Sequence, residues 1–243
     1  MNEECGIVGY YSMVPSNQIL GNAVVSLNKL QHRGREGSGV SFLNFTSNEF
    51  KLYKDEGLVK DVFVDFATNK ICNTVIGHNR YSTSGKSKSN TNASNTLHLQ
   101  PFHSLKHKFS LVHNGNIHNI DYSLNDTEFL VNYIETQREN KKEYKDILIQ
   151  LLNEIKGIYC LIIQTENEMY LVRDRYGVRP FYYGNMVNDV YVCGSETVSF
   201  IDKTIDINQV NPGEVVMLNN NGFSSLYTLE STNPAFCLFE YLH

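Results

Sequence analysis

Nine short apolar runs, four to six residues each and rich in Val, Ile, Tyr and Phe, limit what this chain can fold into more than any other feature. They fall at 6–11, 40–45, 50–54, 74–78, 109–113, 159–164, 168–172, 190–193 and 214–218, and each reads as a strand. Helical spacing occurs in four places: 18–30, 58–66, 126–136 and 144–155. In the first, Leu20, Val24, Leu27 and Leu30 share one stripe. Asp126, Thr127 and Glu128 suit a helix start, because carboxylates favour the positive end of the helix dipole. The strands come in hairpin-like groups with helices between only some of them. That predicts layered sheets flanked by helices, not a strictly alternating doubly wound sheet. With 243 residues, 41% apolar, and no repeat or linker, the chain is long enough for a substantial core in one domain.

Charge and cysteine usage narrow the function. Lys plus Arg number 21 against 26 Asp plus Glu, a net charge of -5, which provides no footprint for nucleic acid or an anionic membrane. No apolar run approaches the roughly 18 residues of a membrane span. Residues 1–4 are polar and acidic where a secretory leader is basic and then apolar. The five cysteines (Cys5, Cys72, Cys160, Cys193 and Cys237) are scattered, with no CxxC pair. They suggest neither a disulfide framework nor a zinc site but thiols in a reducing compartment, so a cytoplasmic protein is expected. His98, His103 and His107 lack Cys or carboxylate partners at ligand spacing, and no metal site is expected.

Cys5 differs from the other cysteines by position. Removal of residues 1–4 would put its thiol and a free α-amine on one carbon. An α-amine has a pKa near ~7.7–8.0, so a useful fraction is neutral at cytosolic pH and can accept the thiol proton. The thiolate is the nucleophile. On position alone, a small buried residue at a strand edge is the simpler reading. The segments His113–Asn114–Gly115–Asn116, Gly77–His78–Asn79–Arg80–Tyr81 and Leu30–Gln31–His32–Arg33–Gly34 also carry chemistry. Asn-Gly is a hairpin-turn signal, yet an Asn amide and the next backbone N–H can also converge as an oxyanion hole. Arg80 could hold a carboxylate in two-pronged fashion, and Asp126 an ammonium. Residues 81–97 are polar and small, a long loop that is either functional or a plain insertion.

Taken together, Cys5–Gly6–Ile7–Val8–Gly9, LQHRG, GHNRYSTSG, Gln100–Pro101–Phe102, HNGNI, Asp126–Thr127–Glu128 and Asp174–Arg175–Tyr176–Gly177–Val178–Arg179–Pro180 resemble, in order and spacing, the class II glutamine amidotransferase domains. The likeness covers nearly the whole chain and is greatest to the amidophosphoribosyltransferase branch, through the LQHRG form of its motif, the short leader and the Cys237–Leu238–Phe239–Glu240–Tyr241 segment. It implies an α+β fold, a four-layer αββα sandwich of the N-terminal-nucleophile hydrolase type. It also implies a propeptide at 1–4, the glutaminase domain at 5–236, and the start of a junction to a phosphoribosyltransferase domain at 237–243.

By the same resemblance Cys5 would be the nucleophile, Asn114 and the Gly115 N–H the oxyanion hole, and Arg33 a residue orienting the catalytic end. Arg80, Thr83 and Asp126 would bind substrate. The substrate would be L-glutamine, hydrolysed to glutamate and ammonia, with the ammonia used to make 5-phosphoribosylamine in the first step of purine synthesis. No cofactor is expected in this chain. Mg2+ and phosphoribosyl diphosphate are expected with a phosphoribosyltransferase domain or subunit, and the full-length enzyme is expected to be a homo-oligomer. In some members a cysteine at the position of Cys237 ligates an iron–sulfur cluster; for this chain a buried structural thiol is the reading adopted. Arg35 and Asn125 depart from the usual Gln and Ser. Two other readings stay open: the same chemistry serving a hexosamine, asparagine or glutamate synthase, and a non-catalytic regulatory relative.

Overall fold

The computed structural model describes residues 5–81, 95–119, 125–201, 204–230, 232–235 and 237. In chain order the elements are β1 (Gly6–Ser16), α1 (Ile19–Lys29), β2 (Gly37–Asn44), β3 (Glu49–Glu56), α2 (Val59–Val62), β4 (Cys72–Arg80), β5 (Phe102–Ser104), β6 (Phe109–Ile117), α3 (Asp126–Glu139), α4 (Tyr144–Glu154), β7 (Gly157–Thr165), β8 (Met169–Arg173), β9 (Tyr182–Met186), β10 (Val190–Gly194), β11 (Thr204–Gln209), β12 (Glu214–Asn219) and β13 (Gly222–Thr228). They form two sheets. One has the order β11-β9-β10-β1-β4-β2-β3, the other β13-β12-β8-β7-β6-β5. All pairings are antiparallel.

The strands at the centre are apolar on both faces, and three separate cores result. Ile7, Ile76, Val112, Ile162 and Leu171 pack between the sheets. Val8, Tyr10 and Val75 face the other way, against Leu20, Ala23 and Leu27 of α1. Leu111, Leu161 and Val172 face Leu130 and Ile134 of α3 and Leu148 and Leu151 of α4. Helices thus lie outside each sheet, giving the expected αββα order of layers. Polar contacts also cross between the sheets: the Ser41 and Ser110 hydroxyls meet at 2.7 Å, and Gln164 Nε2 donates to Thr74 Oγ1 at 2.5 Å. Both are buried, where a made hydrogen bond avoids a desolvation penalty.

Two local expectations are corrected. The helix expected over 58–66 is the single turn α2. Beyond it Phe63 and Phe66 stack on Tyr53, with ring centroids at 5.7 and 4.4 Å, and side-chain packing outweighs helical spacing there. The Asn114–Gly115 pair does not make a hairpin turn. It lies inside β6, opposite Cys160 and Tyr159 of β7. The strands missed in the sequence, β5, β9, β11 and β13, are short or polar, and three of them are sheet edges. Among the described residues no helix is long and apolar enough to cross a membrane.

Candidate active site

Cys5 immediately precedes β1, whose start is fixed from both sides. Gly6 and Ile7 pair with Asn79 and His78 of β4. The Ile7 N–H donates to Ser195 Oγ at 3.1 Å, and the Ser195 N–H returns a bond to the Ile7 carbonyl at 3.0 Å. Arg33 follows α1 in a short 3-10 turn and is 1% exposed. Its Nε donates to the Cys5 carbonyl at 3.1 Å, and its NH1 meets Glu196 at 2.6 Å. His32 reaches the same carboxylate at 3.0 Å. Burial opposes the charge on Glu196, but Arg33 and His32 outweigh it and hold the carboxyl below its usual range. Arg33 therefore meets the backbone of Cys5, not its sulfur.

The Cys5 thiol is half-buried and donates to the Tyr81 carbonyl at 3.8 Å. Burial pushes its pKa up; the Tyr81 contact and the cations Arg179, Arg80 and Arg33 pull the other way without cancelling that effect. The sulfur opens onto a cavity of about 460 Å³, which Arg80, Asn114, Gly115 and Asp126 also line. That size falls within the range of small-molecule sites. Arg80 ends β4, and its Nε lies 4.0 Å from Glu36, beyond hydrogen-bond length.

Asn114 comes from the opposite sheet. It is 1% exposed, and both polar atoms of its amide lack a hydrogen-bond partner. Buried amides are normally satisfied, so an orphaned one lining a cavity is poised for a ligand. Gly115 has φ +144, and a Cβ there would lie 2.0 Å from the Ile158 carbonyl oxygen. Only glycine fits at this point of β6. Asn125, the departure from Ser, still caps α3: its Oδ1 accepts from the Glu128 N–H at 2.8 Å. Asp126 at the first position of α3 accepts from the Ile117 N–H at 2.7 Å, which ties the helix start to the end of β6.

The structure thus gathers Cys5, Arg80, Asn114, Gly115 and Asp126 at one cavity, with Arg33 behind it. Thr83 and the expected propeptide at 1–4 lie outside the described residues, as does most of the junction at 237–243. Cys237, read as a buried thiol, is half-buried.

Some lining residues had no assigned role. His78, Gln100 and His113 belong to the GHNRY, QPF and HNGN segments, and His98 is one of the three histidines in which the sequence shows no metal-ligand spacing. Burial, with neighbouring cations, pushes His78 and His113 down to about 3, so both are neutral imidazoles at pH 7. Asp174–Pro180 is held as a turn: Asp174 accepts from the Tyr159, Tyr176 and Gly177 N–H groups, and the Arg179 carbonyl from Arg173 Nε at 2.9 Å. Among the described residues no group of three or more His, Cys, Asp or Glu side chains is placed to hold a metal ion. A second cavity of about 400 Å³, lined by Lys106, Lys108, Arg138 and Glu143, lies apart from these groups. Lys106 and Lys108 pair with Glu139 and Glu166, and Arg138 donates to the Lys142 carbonyl.

Comparison with known proteins matches residues 90–202 to a family model described as a glutamine amidotransferase domain. The chloroplastic amidophosphoribosyltransferase of Vigna aconitifolia is 33% identical over 99% of this chain and 50% of its own length. The amidophosphoribosyltransferase of Bacillus subtilis is 31% identical over all of this chain and 52% of its own length. The solved glutamine phosphoribosylpyrophosphate amidotransferase from B. subtilis, complexed with ADP and GMP, superposes with a TM-score of 0.80 at 29% identity, over 98% of this chain and 52% of that one. A glutamine aminotransferase class-II domain protein from Silicibacter pomeroyi, 13% identical with a TM-score of 0.58, shares the fold. Fold and match together define a glutamine amidotransferase domain with the N-terminal-nucleophile hydrolase fold of the phosphoribosylpyrophosphate amidotransferases. It corresponds to the N-terminal glutamine amidotransferase region of the amidophosphoribosyltransferases, spanning about half the length of the relatives it matches.

Proposed function

We propose that this chain is a glutaminase: it hydrolyses L-glutamine to glutamate and ammonia through a thioester on Cys5. The observation that carries this reading is the orphaned Asn114 amide facing the same cavity as the Cys5 thiol, with Arg80 and Asp126 on its wall. Arg80 binds the substrate α-carboxylate by charge-assisted hydrogen bonds, and Asp126 binds the α-ammonium. Thr83 is kept as a substrate contact by resemblance alone.

With Cys5 as the first residue, its α-amine takes the thiol proton and the thiolate attacks the side-chain amide carbon. Charge moves onto the amide oxygen, where Asn114 Nδ2 and the Gly115 N–H stabilise it; one such donor contributes about 2.7–4 kcal/mol in comparable sites. The ammonium then protonates the leaving nitrogen, the C–N bond breaks and ammonia departs. Water adds to the thioester, the C–S bond breaks, and glutamate leaves with the thiol restored. Arg33 holds the Cys5 carbonyl and so fixes the direction of the sulfur. If residues 1–4 remain attached, the Cys5 nitrogen is an amide and cannot serve as the base.

In the whole enzyme the ammonia passes to phosphoribosyl diphosphate, bound with Mg2+ on a phosphoribosyltransferase domain or subunit, to give 5-phosphoribosylamine for purine synthesis in the cytoplasm, in a homo-oligomer. The amidophosphoribosyltransferase activity in this part of the proposal rests on the names of the relatives; Mg2+, the cytoplasm and the homo-oligomer rest on the sequence reading alone. The test is glutamine hydrolysis by protein beginning at Cys5, beside its Cys5→Ala variant. Ammonia release by the first alone is expected; equal rates overturn the reading.

A further inference from the structure

The QPF segment has no part in the mechanism above, yet it holds the backbone next to the oxyanion amide. β5 pairs with β6 in the register Phe102↔Leu111, and two residues further along that register residue 100 stands opposite His113. β5 has ended there, and the Gln100 side chain continues its ladder. Oε1 accepts from the His113 N–H at 2.6 Å, and Nε2 donates to the His113 carbonyl at 3.0 Å. One acceptor and one donor on a planar group reproduce what a strand backbone offers.

The anchor behind Gln100 is equally specific. Lys54 of β3 donates to the carbonyls on either side of it, Leu99 at 2.5 Å and Pro101 at 3.2 Å, with its ammonium 4.8 Å above the Phe102 ring. Gly39 of β2 lets the segment approach the sheet, since a Cβ there would lie 2.3 Å from the Gln100 carbonyl oxygen. Asn114, the next residue of β6, is left with its amide unbonded.

Resting on the glutaminase reading, we infer that Gln100 is a positioning residue whose carboxamide clamp on His113 presets the Asn114 amide for the developing oxyanion, with Lys54 securing the clamp. The site demands an amide. Glutamate keeps the bond to the His113 N–H but sets its second oxygen against the His113 carbonyl, and methionine makes neither bond.

The experiment uses chain beginning at Cys5, as wild type, Gln100→Glu and Gln100→Met. Three quantities are read: kcat and KM for glutamine, the rate at which iodoacetamide alkylates Cys5, and the affinity for the γ-aldehyde analogue of glutamine, whose thiol adduct carries an oxyanion. A misplacement of about 1 Å can lower rate by roughly 10²-fold, so a kcat loss of about 10- to 100-fold is expected. KM and alkylation should stay unchanged, and aldehyde affinity should fall in step with kcat. Unchanged kcat in both variants overturns the inference, as does alkylation that falls in step with kcat. Should the Gln100 variants not fold, Lys54→Met reads the same split, and unchanged kcat there overturns it too. Wild-type chain that releases no ammonia overturns the glutaminase reading itself, an outcome distinct from an active wild type with unaffected variants.

Discussion

Arg33 grips Cys5 by its backbone: the guanidinium Nε donates to the Cys5 carbonyl at 3.1 Å while Glu196 holds the other end of the fork at 2.6 Å. Arg33→Ala removes that grip and leaves Glu196 with His32 alone. Breaking a buried ion pair costs about 3–5 kcal/mol, and the retained His32 contact puts this one at the low end. Denaturant unfolding should show a lower midpoint with an unchanged slope. Arg33→Lys cannot span both partners and should also lose turnover, read as ammonia release.

Asn114→Ala removes an oxyanion donor without touching the sulfur. Its kcat should fall by about 10²–10³-fold with KM little changed. Steady-state kinetics checks this, and a KM effect without a kcat effect would move Asn114 to substrate binding.

Arg80 and Asp126 should behave in the opposite sense. Each would contribute a charged hydrogen bond of roughly 1.5–3 kcal/mol to substrate, so Arg80→Gln should weaken glutamine binding by about 10- to 150-fold. Calorimetric titration of glutamine into Cys5→Ala protein measures it without turnover. Asp126→Asn should weaken binding while keeping an acceptor for the Ile117 N–H.

Acid should destabilise the fold through His78 and His113. Their folded-state pKa values, near 3, lie below the ordinary ~6.5 of the unfolded chain, so the unfolded state binds more protons in between. The stability they contribute is full above about pH 6.5 and is lost as pH falls toward about 3, at up to about 1.4 kcal/mol per pH unit for each histidine. Denaturation midpoints across that window should show the slope, and His78→Gln should flatten it. A midpoint that holds constant from pH 6.5 to 4 contradicts the buried neutral pair.

The central strands were legible because their apolar runs, buried on both faces, carry a strong pattern; 74–78 and 159–164 fall within β4 and β7. The edge strands were not. β11 has Ile205 and Ile207 exposed among polar residues and a left-handed Asp206, so its sequence reads as loop. Only its pairing with β9 makes it a strand. Asn114–Gly115 carried two local meanings, a turn and an oxyanion hole, and long-range pairing with β7 decided against the turn. Gln100 was visible only as a letter in QPF, because its role depends on β5 stopping two residues short of His113.

The sulfur of Cys5 hangs from one slab of the sandwich and the Asn114 amide from the other, and the apolar interlayer, its hydroxyl and amide rivets and the Lys54-backed Gln100 clamp keep them in step. Catalytic alignment is therefore a gauge of how the slabs are seated. Heat or cosolvent that lets them slip should idle the chemistry while both sheets are still intact.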